Sequence, residues 1–193
     1  MPRIALAAAL LLLSGCGLFD TRTPSEVGGG ESVWQTPVSP LIIVENLRAS
    51  FEAGNFGDYE RTMTQDFFFV ADESDVFAIE LIRPGEGVFL GWDRGVETQT
   101  AEVIFGSVPR LSLDLTLIRE EIIPQGRLLK YHYELTLLPA EGEPSIYAGE
   151  GWFRTRQEPG SGEWYIFEWE DIASVPLRQS WGYLKGLNRP SSP

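Results

Sequence analysis

From Leu111 onward, apolar and polar residues alternate with a period of two. Leu111, Leu113, Leu115 and Leu117 are separated by Ser112, Asp114 and Thr116, and Tyr131, Tyr133, Leu135 and Leu137 by His132, Glu134 and Thr136. Such alternation predicts strands that bury one face. Pro124-Gln125-Gly126 lies between the two runs and predicts a hairpin turn. A third strand is predicted over Ser145–Arg156, entered through Glu141-Gly142-Glu143-Pro144. A fourth is predicted over Glu163–Asp171, entered through Pro159-Gly160-Ser161-Gly162. Together these make an antiparallel meander with one apolar face.

Upstream the period is helical. Ser39 suits an N-cap and Pro40 the first helical position; Leu41, Val44, Leu47 and Phe51 recur three or four apart until Gly54. A second short helix is predicted over Asn55–Met63, and Asp66-Phe67-Phe68-Phe69-Val70 reads as a buried strand. Asp72-Glu73-Ser74-Asp75 reads as a solvated acidic turn, and Val76–Ile82 as a short strand. A helix from about Trp92 to Phe105 would turn Trp92, Val96, Thr100 and Val103 inward. After Pro176, a short helix over Leu177–Leu187 carries an apolar stripe of Trp181, Tyr183, Leu184 and Leu187. Helices followed by a curled antiparallel sheet, covered on one face, define an α+β fold.

The first segment has a different character. Arg3 precedes a ten-residue apolar run from Ile4 to Leu13, too short to span a bilayer as a helix and matched to the core of a secretory signal. It ends in Leu13-Ser14-Gly15-Cys16, which resembles the lipobox of bacterial lipoproteins. That resemblance implies cleavage after residue 15. Cys16 would become the first residue, carrying a diacylglyceryl thioether and an acylated (palmitoyl-type) amine. Several acyl chains make a durable membrane anchor, where a single chain binds only marginally. Gly17, rather than Asp, follows the cysteine, and the resemblance then implies the outer membrane. Residues 16–39 contain Gly28-Gly29-Gly30, Pro24 and Pro37, and are expected to form a flexible tether. The expected organisation is a signal peptide over 1–15, a tether over 16–39, a domain over 40–173, and a basic helix and tail over 174–193.

Several pieces of the domain carry a second resemblance. They are the opening helix followed by Tyr59 and Asp66-Phe67-Phe68-Phe69, then Gly91-Trp92-Asp93-Arg94 leading into a helix, then Glu163-Trp164-Tyr165-Ile166-Phe167-Glu168-Trp169-Glu170-Asp171 closing the sheet. With this order of elements, residues 40–173 resemble the NTF2-like (SnoaL-like, cystatin-like) superfamily. The closing strand, with Ser180-Trp181-Gly182-Tyr183-Leu184-Lys185 after it, resembles a group of secreted bacterial lipoproteins of unknown function built on that fold. The resemblance implies helices packed inside a curved sheet around a conical pocket, and dimerisation through the sheet.

Strand alternation places Tyr133, Phe153, Phe167, Trp169 and Asp171 on the concave side, with Tyr147 and Tyr165 in the same set, provided no β-bulge intervenes. Tyr and Trp pair an apolar body with one donor, which suits a small-molecule site and an ordinary β core alike. Trp152 and Trp164 fall on the opposite side by the same alternation. His132 falls on the polar side of its strand, away from Asp171, which argues against a His–Asp dehydratase pair. Tyr133 or Tyr131, with Asp171 or Asp66, could supply an acid and oxyanion pair of the ketosteroid-isomerase type, though no spacing links them to that template.

Composition narrows the field. The 193 residues hold 15 Lys+Arg against 28 Asp+Glu, a net charge of -13, which argues against a nucleic-acid binder with a basic surface. One Cys and one His exclude an internal disulfide and the usual four-ligand Cys/His zinc cluster. Asp72, Glu73 and Asp75 lack an EF-hand pattern, and no cofactor motif is present. Residues 41–173 hold 10 basic and 25 acidic residues, whereas residues 174–193 hold Arg178, Lys185 and Arg189 and no acid. The basic tail helix is therefore expected to lie back on the acidic domain.

The leading expectation is a non-catalytic, lipid-anchored domain of the cell envelope that binds a small apolar ligand or an envelope protein. An isomerase or hydro-lyase using the cone, and a purely structural protein whose cone is filled, are the alternatives.

Overall fold

The structure is a computed structural model, and it describes residues 31–191. The signal segment, Cys16 and the tether up to residue 30 lie outside the described residues. The elements run α1 (Pro40–Ala53), α2 (Phe56–Arg61), β1 (Met63–Val70), α3 (Glu73–Ile82), α4 (Arg94–Ser107), β2 (Arg110–Ile123), β3 (Gly126–Leu138), β4 (Ser145–Gln157), β5 (Trp164–Ile172) and α5 (Trp181–Asn188). The five strands form one sheet in the order β1-β5-β4-β3-β2. β2 to β5 are the antiparallel meander, and β1 joins its edge parallel to β5. The expected α+β architecture is present, with the helices against the concave face.

Capping explains where the helices start. Ser39 accepts from the Ile42 amide, Asn55 from Asp58, Asp93 from Val96 and Ser180 from Tyr183. Each such cap is worth about 1 kcal/mol. Asp93 as a cap moves the start of α4 to Arg94, so its inner face is Glu97, Thr100, Ala101, Ile104 and Phe105, and Val103 is exposed. Ser180 likewise delays α5, which was expected from Leu177.

One element differs in kind. The expected strand over Val76–Ile82 is instead the greater part of α3, because Asp72 caps the Ser74 amide and Glu73 and Asp75 occupy a favourable first turn. The short apolar run Val76–Ile82 was compatible with either structure. Only Asp75 and Ile79 of this helix are buried; Val76, Phe77, Leu81 and Ile82 stay exposed. Asp75 is thus no part of a solvated turn.

The core lies between the sheet and α1, α2, α4 and α5. Val44, Leu47 and Phe51 of α1 meet Leu113, Tyr133, Leu135, Phe153, Ile166 and Trp169 from the strands. The N-terminal stretch is also fastened down. Ser32 Oγ and the Val33 amide donate to Asp58, Asn46 brackets Gln35 through its amide and carbonyl, and the Trp164 amide donates to the Pro37 carbonyl. Trp34 packs against the core edge under the Arg61 guanidinium, 4.0 Å from its ring centroid. Residues 32–37 are therefore a strap on the domain within the expected tether, and Trp34 docks there, as a lone Trp in such a stretch favours.

Candidate functional site

Of the residues expected on the concave side, Tyr133, Phe153, Trp169 and Asp171 are buried there together. Phe167 is not. β5 carries a bulge: Arg154 pairs with Glu168 but Thr155 pairs with Ile166, so Phe167 is the extra residue. Ile166 takes the inner position, and Phe167 lies beneath the Arg156 guanidinium instead. The same shift leaves Tyr165 half-buried with its hydroxyl on Glu163, and brings Trp164 in against the core. Tyr147 is half-buried at the margin. Trp152, as expected, is on the far side, beneath Lys130 Nζ at 3.8 Å. His132 is exposed beside Glu150.

The cone is filled from within. α5 folds back and inserts Trp181, whose ring meets Phe51, Tyr133 and Trp169 at centroid distances of 4.9, 5.6 and 4.4 Å. The tail helix thus docks on the domain by its apolar stripe. Two glycines permit that approach. A Cβ on Gly182 would sit 2.8 Å from an Asp75 carboxylate oxygen and 2.9 Å from one of Asp171. A Cβ on Gly186 would sit 2.6 Å from Ile79 Cγ1.

Around α5 lies a buried polar network that the sequence reading only partly found. The Gly182 amide donates to Asp171 Oδ2 at 2.6 Å, the Trp181 amide donates to the Tyr133 hydroxyl at 2.7 Å, and Ser180 Oγ donates to Asp75. Asp171 Oδ1 has no hydrogen-bond partner among the described residues. Burial pushes the Asp171 carboxyl up to about 7, against the Gly182 amide and Lys185, which favour its ionised form. Burial likewise pushes Asp75 up to about 6, against the Ser180 hydroxyl. Burial beside Asp171 holds the Tyr133 phenol well above its ordinary value.

Deeper in the core, Lys185 Nζ lies 2.8 Å from Glu97 Oε1, both side chains being 1% exposed. Glu97 also accepts from the Tyr59 hydroxyl and, at 2.7 Å, from Trp92 Nε1. Burial lowers the Lys185 ammonium from its ordinary value, opposed by Glu97 and Asp171. Glu97, Asp75 and Lys185 were not among the expected site residues. A signal existed for two of them. Glu97 is three and four residues before Thr100 and Ala101 on the inner face of α4, and Lys185 is four after Trp181.

A separate cleft of about 550 Å³ opens outside the cone. Its walls are Phe69 and Val70 of β1, Val76 and Ile79 of α3, and Val88, Phe89 and Leu90 of the following loop. Leu90 is 77% exposed. Among the described residues no group of three or more His, Cys, Asp and Glu side chains is arranged to hold a metal ion. No helix among them is long and apolar enough to cross a membrane.

The sheet order, the helices seated in its curve and the cone they fill define an NTF2-like fold. Solved structures share it at low identity. A proposed aromatic ring hydroxylase from Novosphingobium aromaticivorans has a TM-score of 0.54 at 10% identity, covering 74% of this chain and 91% of that one. A proposed scytalone dehydratase from the same organism has a TM-score of 0.52 at 10% identity, covering 72% and 89%. A protein of unknown function from Mycobacterium tuberculosis has a TM-score of 0.51 at 16% identity, covering 77% and 82%. These likenesses show the fold alone. No protein-family profile and no curated protein sequence matches the chain.

Proposed function

We propose that this is a non-catalytic, lipid-anchored domain of the cell envelope that binds a small apolar ligand in the cleft between β1, α3 and the 87–90 loop. The observation that carries the reading is the displacement of the open apolar space. The cone is filled by Trp181, while a cleft of about 550 Å³ with Phe69, Val76, Ile79, Phe89 and Leu90 in its walls is open at the surface. That volume is in the range of small-molecule sites. An isomerase or hydro-lyase would need a reactant beside Asp171 and Tyr133, and α5 occupies that space. The purely structural alternative accounts for the filled cone and leaves the cleft without a role.

The test is a titration with 1-anilinonaphthalene-8-sulfonate, followed by displacement with a medium-chain fatty acid. Binding should be saturable. Val76→Asp places a charge in the wall and should weaken it about tenfold or more, with little change in Tm, because Val76 is 42% exposed. Equal binding by the variant would exclude the cleft.

A further inference from the structure

Four groups from three elements, α4, β1 and β5, converge on one point, and none of them belongs to α5. Glu97 comes from α4. Its carboxylate is held by the Tyr59 hydroxyl of α2 and the Trp92 indole N–H, independently of any cation. Phe69 of β1 and Trp169 of β5 present ring faces to the same point, and Asp171 of β5 adds a second buried carboxylate nearby. The side chain that enters is Lys185. Its Nζ lies 3.4 Å from the Trp169 ring centroid, 3.8 Å from that of Phe69 and 2.8 Å from Glu97 Oε1. Glu97 meets it as an ion pair, and among the described residues no acceptor engages it in hydrogen-bond geometry.

Aromatic faces backed by a carboxylate are the geometry that recognises ammonium ligands. An ion pair serving stability alone gains little from such depth, because desolvation offsets the attraction. Here the carboxylate and rings are braced by one another, and the cation arrives on the last helix of the chain. That helix connects to the sheet through residues 173–180, where Leu177 is fully exposed with a φ of 62°. Withdrawing α5 would break no strand pairing.

We propose that the interior of the cone is a binding site for a primary alkylammonium group, and that α5 supplies Lys185 as its intramolecular occupant. A free amine reaches the site only when this ammonium is absent or displaced. The site shares Phe69 with the wall of the outer cleft, but its carboxylate, Glu97, is not in that lining.

The test is replacement of the missing atoms. In Lys185→Ala, n-propylammonium substitutes for the deleted Cγ, Cδ, Cε and Nζ. Thermal unfolding of the full chain should show a lower Tm for Lys185→Ala and a saturable recovery with n-propylammonium chloride. Sodium chloride at equal strength and n-propanol should give none. The parent chain, whose site is filled, and Lys185→Met, which fills the space without charge, should not respond. Recovery should be lost in Glu97→Gln/Lys185→Ala. No saturable recovery, or an equal one in the Glu97 double variant, would overturn the proposal. If Lys185→Ala does not fold alone, refolding it in n-propylammonium must restore a cooperative transition, and failure to do so would equally overturn it.

Discussion

At the scale of single residues, the interior is unusual in the charge it carries. Asp75 and Asp171 both approach Gly182, and burial raises both carboxyls, to about 6 and about 7. Ser180, Tyr133, Lys185 and the Trp181 and Gly182 amides face them. The sign of the effect on stability follows. Below about pH 4 these carboxyls are protonated in both states, and their contribution is fully present. As pH rises, the unfolded chain releases its protons first, and stability falls until both states are ionised above about pH 8. Asp66, held below its ordinary value by Arg156, acts in the opposite sense but in a more acidic window. Tm should therefore fall between about pH 5 and about pH 8, and Asp75→Asn/Asp171→Asn should reduce that fall. Melting curves at both pH values check this; an unchanged slope in the double variant would contradict it. Of these residues, Asp171 and Tyr133 were readable from strand alternation. Asp75 was not, because its burial depends on α3 being a helix.

At the scale of elements, α5 decides what the cone contains. Trp181 sits among Phe51, Tyr133 and Trp169 and is almost wholly buried. Trp181→Ala should cost about 3–5 kcal/mol, read as a lower midpoint in urea unfolding. Deleting residues 174–193 should lower Tm further, since it also removes Lys185 and the arginine contacts between α5 and the 83–90 loop. In those contacts Arg83 donates to the Gly186 and Arg189 carbonyls, and Arg189 donates to the Val88 and Leu90 carbonyls. An unchanged melting curve for the deletion would refute the docked helix. The apolar stripe and basic charge of this segment were legible in the sequence, and so was its docking on the acidic domain. Its insertion into the cone was not, because that depends on Gly182 and Gly186 facing α3 and β5.

At the scale of the whole molecule, net negative charge and the N-terminal segment bear on location. The domain repels anionic headgroups at long range, so membrane residence would depend on acyl chains at Cys16. Mass spectrometry of the native protein should show an N-terminus at Cys16 carrying a diacylglyceryl thioether; an unmodified N-terminus beyond residue 16 would exclude the anchor. The strap over residues 32–37 fixes the start of the described chain to the domain. Any such tether ends near Asp58 and Asn46, where Ser32, Val33 and Gln35 are held.

By itself, the sequence determined the α+β class, the order of elements apart from α3, and the apolar faces of β2, β3 and β4, because periodicity and turn residues act locally. It also pointed to the polar side of His132 and the buried side of Asp171. Tertiary structure alone decided three things. The bulge at Phe167 depends on how β5 must fit both β4 and β1, and it exchanged Phe167 for Ile166 inside. The burial of Asp75 and Ile79 was decided by packing α3 against α5, since the short apolar run fitted either period and showed no inner face. The contents of the cone were decided by the last helix, whose Trp181 and Lys185 are distant in sequence from the Phe69, Glu97 and Trp169 they meet.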